Sequence, residues 1–258
     1  MSDIVWIGLL ASLGAGLMTG VGALPVLAGR HPSARRSDAM LGFAAGVMLS
    51  ASYFSLILPG LAAAEAQGLG RPAAAGLAAV GIALGALFVA GLNRALPHEH
   101  FVAGREGAGA EGVARIWLFV LAITIHNFPE GLAVGVGFGG GDVANGMTLA
   151  IGIGLQNAPE GLAVAVALVG LGYSRLFAVA IAAATGLVEP VGGLIGVIAV
   201  HASGAVLPWG LTFAAGAMLF IVSHEIIPET HRRGHQAAAT TGLMVGVIAM
   251  MLLDVTLG

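Results

Sequence analysis

Eight apolar runs, each near the length that crosses a bilayer, constrain this chain more than any other feature of its sequence. About 20 apolar residues span a membrane as an α-helix. Only 9% of the residues are charged, whereas soluble domains typically carry about a quarter. The sequence therefore predicts one polytopic all-α membrane domain over residues 1–258. Its predicted helices, numbered 1 to 8 in chain order, lie at 4–28, 39–64, 72–93, 116–140, 143–170, 176–203, 205–227 and 236–257.

The arginines predict the orientation of these helices, because cytoplasmic loops carry an excess of basic residues. The chain has no lysine, and nine of its ten arginines fall in the odd-numbered loops, leaving only Arg71 on the other face. We therefore expect both termini outside the cytoplasm, in a plasma membrane. The longest loop, 94–115, is then cytoplasmic, and its glycines and charges predict a flexible segment.

Composition excludes two other kinds of binding. A net charge of −3 provides no basic footprint for nucleic acid. The chain has no cysteine, which excludes disulfides and thiolate metal sites. The lipid bilayer is the partner that the composition itself predicts. The 42 glycines are typical of membrane helices that approach one another closely.

Three glutamates are predicted at one depth in the membrane. With about 1.5 Å of rise per residue, Glu130 of helix 4, Glu160 of helix 5 and Glu189 of helix 6 each fall roughly 20–26 Å from the start of their helix. A charged side chain at the bilayer centre costs a few kcal/mol even on the lenient insertion scale. Three carboxylates at one depth would repel each other unless a proton or a cation compensates them.

A repeat surrounds two of these glutamates. "HNFPEGLAVGV" (126–136) and "QNAPEGLAVAV" (156–166) agree at eight of eleven positions and lie 30 residues apart. In each copy a polar residue and the glutamate are four positions apart, on one helical face. Each motif proline leaves one backbone carbonyl of its helix without a hydrogen-bond donor. A membrane protein tolerates such a carbonyl only inside the protein or beside a water-filled cavity.

Structural explanations compete for the individual residues. A lone proline is more often a simple kink, and a lone asparagine is more often an interhelical hydrogen bond. The glutamates favour a cation site. An imidazole, carboxylates and amide oxygens without thiolate suit Zn²⁺, with Fe²⁺, Mn²⁺, Co²⁺ and Cd²⁺ as competitors. Seven donors exceed the needs of one tetrahedral ion, so we expect two adjacent metals; the donors are His126, Asn127, Glu130, Gln156, Asn157, Glu160 and Glu189.

With both motifs in view, the sequence resembles the ZIP family of divalent metal transporters, in its bacterial GufA-type branch. This resemblance implies that the plasma membrane is a bacterial inner membrane. The similarity extends to "DAMLGFAAGVMLSAS" (38–52), "EPVGGLIGV" (189–197) and "SHEIIPETHRRGH" (223–235). The resemblance implies that helices 1, 4, 5 and 6 form a transport bundle and helices 2, 3, 7 and 8 a scaffold that forms a homodimer. It also implies one metal at His126, Glu130, Gln156 and Glu160, and a second at Asn127, Asn157 and Glu189, with Glu130 and Glu160 bridging.

The sequence departs from this family at three positions. Relatives often have histidine where Gln156 stands, and some have aspartate where Asn157 stands. The loss of an anionic ligand is expected to weaken the second metal. Some bacterial relatives carry an acidic residue at the outer end of helix 2, where this chain has Ala62, and the nearby Glu65 is a candidate substitute.

Further residues are predicted along the transport pathway. Asp254 falls at the outer end of helix 8, where an entering ion would first bind, although a lone terminal aspartate is more often merely solvated. Histidines and glutamates cluster at the cytoplasmic end of helix 7 and in the nearby loops, which favours metal release or sensing. For the loop histidines simple solvation is the alternative, and for Met48 core packing is. The candidates are Met48, Ser55, His98, His100, His224, Glu225, Glu229, His231, His235 and Asp254.

We therefore predict a carrier that moves Zn²⁺ or a similar ion into the cytoplasm by alternating access, and not an enzyme. Metal binding is expected to release protons, since carboxylates must be deprotonated to bind metal. An intramembrane metallohydrolase is the rival class, but nothing in the sequence supplies its substrate cleft. A metal-gated channel is the third alternative.

Overall fold

Eight long helices dominate the computed structural model, which describes residues 3–29, 32–95, 98–100, 104–106 and 115–257. Each helix is long and apolar enough to cross a membrane, which confirms the predicted all-α class with eight spans. Four helices are regular: helix 3 (Arg71–Ala95), helix 4 (Arg115–Gly139), helix 5 (Val143–Gly170) and helix 8 (Gln236–Leu257).

The other four helices contain irregular turns. Helix 1 (Asp3–Ala23) ends in a 3₁₀ turn (Leu24–Ala28). Helix 6 consists of two halves, and helices 2 and 7 each contain a π-helical turn followed by a proline. The segments are Ala34–Ala51, Ser52–Ile57 and Leu58–Ala66 in helix 2, Arg175–Gly186 and Glu189–Ala202 in helix 6, and Gly204–Val206, Leu207–Ile221, Val222–Ile226 and Ile227–His231 in helix 7.

Two predicted boundaries differ from the structure. Helix 2 begins at Ala34 and not near 39, because Ser33 caps it by accepting a hydrogen bond from the backbone N–H of Arg36 at 3.4 Å. Asp38 is therefore inside the helix. Helix 7 continues past residue 227 to His231, so residues near its end lie deeper in the bundle than the sequence indicated.

A short antiparallel pair of strands lies within the predicted flexible loop 94–115. Strand β1 (His98–His100) pairs with strand β2 (Gly104–Glu106), with His98 opposite Glu106. The backbone of these two strands is described, but their side chains and the rest of the loop are outside the described residues. The flexibility of the loop remains a prediction.

The helices pack in two sets of contacts. Helix 1 packs against helices 4, 5 and 6, and helix 4 packs extensively on the second half of helix 6. Helix 8 pairs with helix 2, and helix 3 pairs with helix 7. Helices 2 and 5, and helices 4 and 7, join the two sets. Large apolar side chains cover the outer faces, as lipid requires; the most exposed include Leu10, Leu87, Leu176 and Val255.

Candidate metal-transport site

The seven side chains predicted as metal ligands are all buried, on helices 4, 5 and 6. Glu130 and Glu189 are 0% exposed and Glu160 is 2% exposed. Glu160 lies within electrostatic range of both other glutamates and of His126. The sequence thus brings one imidazole and three carboxylates together in the interior of the helix bundle.

Helix geometry places each glutamate in a different way. Pro129 and Pro159 lie inside continuous helices, so Glu130 and Glu160 each follow a proline without a break in the chain. Helix 6 is interrupted at 187–188, and Glu189 lies in the first turn of its second half. The exposed N–H groups of a helix N-terminus favour an anion there, so the interruption helps to stabilise the carboxylate of Glu189.

The glycines of the two motifs allow neighbouring helices to approach closely. A Cβ atom on Gly131 would overlap the backbone of Glu189 in helix 6, and one on Gly161 would overlap the backbone of Thr19 in helix 1. Any side chain at either position would force the helices apart. The repeated glycine thus fixes helix 4 against helix 6 and helix 5 against helix 1.

The amides of helix 5 orient part of the site. Asn157 donates from Nδ2 to Oε1 of Glu189 at 2.7 Å and to the carbonyl oxygen of Ala15 at 2.9 Å. Gln156 donates from Nε2 to Oδ1 of Asn157 at 3.3 Å. This chain of hydrogen bonds joins helices 1, 5 and 6, and it leaves Oε1 of Gln156 buried without a hydrogen-bond partner.

Five carboxylate oxygens in the site are buried without a hydrogen-bond partner: both of Glu130, both of Glu160 and Oε2 of Glu189. The side-chain amide of Asn127 also has no partner. Buried polar atoms are normally hydrogen-bonded, and an uncompensated buried charge is costly. The donor set has the chemistry to hold a divalent cation, because carboxylate, imidazole and amide oxygen are all metal ligands.

The donors do not form a ready-made set of acidic and imidazole ligands. Across the described parts of the chain, no group of three or more His, Asp or Glu side chains is placed to hold one metal ion. Binding through the predicted donors therefore requires amide oxygens as ligands or rotation of the carboxylates. Since Asn157 currently directs its N–H group at Glu189, its amide would also have to rotate before its oxygen could bind metal.

A cavity of about 360 Å³ extends from the site toward one end of the helices. His126, Glu160 and Glu225 line its inner part, and Glu229 and Arg233 line it near the turn between helices 7 and 8. The opposite end is packed with buried apolar side chains; these include Val5, Val136, Phe138, Leu149, Val197 and Val200. The site is thus connected to the end of the protein that carries the predicted cytoplasmic loops 1 and 7.

Some of the predicted pathway residues line this cavity, and others do not. His224 and Glu229 line it. Met48 is fully buried in the apolar core, in agreement with its alternative interpretation. Ser55 donates to Oδ1 of Asp254 at 2.5 Å, which ties helix 2 to helix 8. The side chains of His98 and His100 lie outside the described residues.

Glu225 occupies a different place from the one predicted. The sequence put it at the exit of helix 7, whereas its Oε2 forms an ion-pair contact with Nε2 of His126 inside the site. Its Oε1 accepts a hydrogen bond from Nδ2 of Asn93 on helix 3, at 2.9 Å. The extension of helix 7 to His231 accounts for this greater depth. Sequence reasoning missed Asn93 because nothing local marks it, apart from its being a polar residue near the end of an apolar helix.

A second polar cluster lies where the cavity approaches the surface. Asp38 is fully buried, and its Oδ2 is 2.7 Å from Nδ1 of His235. Arg233 lies 3.9 Å from the same carboxylate and 3.8 Å from Glu229. His231 interacts locally, with Thr230 and the carbonyl of Ile227. Sequence reasoning missed Asp38, and the capping serine at position 33 was the signal that would have placed it inside helix 2.

Comparisons with known proteins decide the family. Residues 97–254 match the family model described as ZIP Zinc transporter. The zinc transporter GufA of Myxococcus xanthus is 49% identical over 97% of this chain and 99% of its own length. The zinc transporter ZIPB of Bordetella bronchiseptica is 52% identical over 93% of this chain and 78% of its own length. This chain belongs to the ZIP family.

Family membership confirms the resemblance seen in the two motifs and identifies the chain as a multi-pass membrane transporter and not an enzyme. A more distant relative, the zinc transporter ZIP11 of Homo sapiens, is 36% identical over 93% of this chain and 94% of its own length. The intramembrane hydrolase considered as the rival class is not favoured, since these relatives are named as transporters.

Proposed function

We propose that this ZIP protein carries Zn²⁺ into the cytoplasm by alternating access through the buried site on helices 4, 5 and 6. One observation carries the proposal: five carboxylate oxygens of Glu130, Glu160 and Glu189 are buried without hydrogen-bond partners. A cation supplies the charge compensation that they lack. The names of the relatives, as zinc transporters, support Zn²⁺ as the substrate. Fe²⁺, Mn²⁺, Co²⁺ and Cd²⁺ are the competing ions that suit the same donors.

The proposed site holds two adjacent metal ions. His126, Glu130, Gln156 and Glu160 bind the first ion. Asn127, Asn157 and Glu189 bind the second, and Glu130 and Glu160 bridge the two. The burial of all seven side chains supports this assignment, as does the position of Glu160 close to both other glutamates. Asn157 is the weakest member, because it is neutral and now donates to Glu189.

Inward transport is supported by the shape of the protein and by its charges. The cavity connects Glu160 with Arg233, in the loop between helices 7 and 8. The odd-numbered loops hold nine of the ten arginines, and this excess supports a cytoplasmic location for this end of the protein. The buried Phe138 lies on the opposite side of the site, within a packed apolar plug. Closing the cavity and opening this plug would expose the site to the other face.

The two contact sets support the division into moving and fixed parts. We propose that helices 1, 4, 5 and 6 move as a transport bundle, and that helices 2, 3, 7 and 8 form the scaffold and the homodimer contact. Helices 1, 4, 5 and 6 contact one another, whereas helix 2 pairs with helix 8 and helix 3 with helix 7. The proposed location is a bacterial inner membrane, with both termini outside the cytoplasm.

Zinc uptake into proteoliposomes tests this function. Wild type should accumulate Zn²⁺ with a rate that saturates, whereas a metal-gated channel would show little saturation. Glu130→Ala and Glu160→Ala should each abolish uptake, because both metal ions lose a ligand that they share. Thr148→Val is the matched control, since Thr148 is equally buried on helix 5 but is not among the proposed ligands. Near-normal uptake by either folded glutamate variant would contradict the bridged two-metal site.

A further inference from the structure

A buried row of three side chains crosses from helix 3 to helix 4 through helix 7. Nδ2 of Asn93 donates to Oε1 of Glu225 at 2.9 Å, and Oε2 of Glu225 contacts Nε2 of His126. Asn93 is 3% exposed, Glu225 6% and His126 3%. The row lies beside the cavity and ends on a histidine of the proposed metal site.

This arrangement fixes the chemistry of the imidazole ring. An ionised carboxylate can only accept hydrogen bonds. The ring nitrogen that faces Glu225 must therefore carry a hydrogen, so Nε2 is the N–H nitrogen of His126. A neutral imidazole then has its lone pair on Nδ1. In the structure both ring nitrogens are buried without a hydrogen bond of regular geometry, but only Nε2 contacts the carboxylate of Glu225. Nδ1 has no polar partner, which is the state expected of a nitrogen available to a metal ion.

We propose that Asn93 and Glu225 are positioning residues of the transport site, and that they hold His126 in the form that binds the metal through Nδ1. This inference rests on the proposed function. A metal-binding histidine commonly donates its other N–H to a carboxylate, which fixes the ring and raises its basicity. Glu225 provides this carboxylate from helix 7, and Asn93 on helix 3 orients it.

The proposal gives Glu225 a role different from that of a ligand at the exit. It also differs from a second arrangement, in which Glu225 competes with the metal for His126 and so promotes release. The two arrangements predict opposite changes in metal affinity when Glu225 is replaced. If Glu225 supports the ligand, its loss weakens metal binding, whereas if Glu225 competes with the metal, its loss tightens binding.

Glu225→Gln is the informative substitution because it keeps the size of the side chain. The glutamine oxygen can still accept from Asn93, and its NH₂ group then faces His126. Nε2 must now accept a hydrogen bond, which moves the ring hydrogen to Nδ1 and blocks that nitrogen. Asn93→Leu removes the donor that orients Glu225. Thr212→Val is the matched control, because Thr212 is also buried between helices 3 and 7 but bonds only within its own helix.

The experiment uses the full-length protein with ¹⁵N-labelled histidine in lipid, and ¹¹³Cd²⁺ and Zn²⁺ as probes. In wild type, ¹¹³Cd should couple to the Nδ1 of one histidine, and His126→Gln should remove that coupling. Glu225→Gln should remove or transfer the coupling and weaken Zn²⁺ binding about 10- to 100-fold. Asn93→Leu should weaken binding in the same direction, and Thr212→Val should change neither quantity.

Three results would overturn the inference: coupling to Nε2 in wild type, Nδ1 coupling that persists in Glu225→Gln, or Zn²⁺ binding that tightens or stays unchanged in that variant. General misfolding of Glu225→Gln would show as a melting temperature below those of wild type and Thr212→Val. If wild type bound neither ion, the proposed function itself would fail, and this inference would fail with it.

Discussion

Asn157 donates a hydrogen bond to Glu189 at 2.7 Å, and this contact joins helix 5 to the first turn of the second half of helix 6. The amide thus compensates one oxygen of Glu189, while its neighbours Glu130 and Glu160 have no such donor.

The first prediction concerns Asn157→Asp, which replaces the hydrogen-bond donor to Glu189 with a second carboxylate. An ionised aspartate has no hydrogen to donate, so two carboxylates would face each other and would need a cation between them. The variant should bind the second Zn²⁺ more tightly and should turn over more slowly. Its melting temperature should be lower than that of wild type in chelator and should rise more on adding zinc.

Equilibrium zinc binding, initial uptake rate and thermal unfolding of wild type, Asn157→Asp and Asn157→Ala measure this effect. Asn157→Ala should keep the first metal largely intact. If Asn157→Asp binds no more zinc than wild type, and no more tightly, then Asn157 is not a metal ligand and the second site is wrongly assigned.

The second prediction concerns the close approach at Gly161. Gly161→Ala should lower stability by about 1–3 kcal/mol, the usual cost of forcing extra volume into a packed interior, and should reduce zinc uptake. The reason is that the new Cβ overlaps the backbone of Thr19 and displaces helix 1. Gly170→Ala on the same helix is the control, since nothing lies within 4 Å of its Cβ position. Thermal unfolding in detergent checks both, and equal stability of the two variants would refute the packing argument.

The third prediction concerns Asp38, which is buried beneath His235 and Arg233. Asp38→Ala should destabilise the protein by about 1–3 kcal/mol, because both partners lose a charged acceptor while they are only partly exposed to solvent. Glu65→Ala should change stability by less than about 1 kcal/mol, since the Glu65–Arg71 pair lies on the surface. Thermal unfolding at fixed pH compares them. A larger loss for Glu65→Ala would show that this account of the cluster is wrong.

The fourth prediction tests the orientation in the membrane. The chain has no cysteine, so single cysteines can be labelled without background. Ser33 and Gln67 are both exposed, at opposite ends of helix 2. An impermeant thiol reagent should label Gln67→Cys in intact cells whose outer membrane is permeable, and should label Ser33→Cys only after the cells are opened. The reverse pattern would invert the proposed direction of transport.

Much of the fold could be predicted because its causes are local in the sequence. Lipid requires long apolar runs, so the eight helices follow from composition and length. The convergence of Glu130 and Glu160 also follows, since a fixed rise per residue converts sequence position into depth. The repeated motif also indicated a shared environment for the two glutamates before any packing was known.

Other features depend on contacts between distant helices, which a single sequence does not display. The interruption of helix 6 at 187–188 is an exception, because Pro190 closely follows it and was a local signal for a helix break within the predicted span 176–203. The sequence predicted Glu225 too near the cytoplasmic end of helix 7, because the predicted helix ended at 227 and the helix continues to His231. Its contact with His126 depends on how helices 4 and 7 pack, and its bond to Asn93 depends on helices 3 and 7.

The π-helical turns in helices 2 and 7 also change how the chain tolerates insertions and deletions. A π-helical turn holds one residue more than an α-helical turn. Removing one residue from Ser52–Ile57 can therefore convert this stretch to regular α-helix, while the flanking segments keep the same faces toward the protein core. The same deletion in a regular span such as helix 5 would rotate everything beyond it by about 100° and turn its buried face toward lipid. Deletions of one residue are thus expected to be accommodated at Ser52–Ile57 and rejected in the helices that carry the metal ligands.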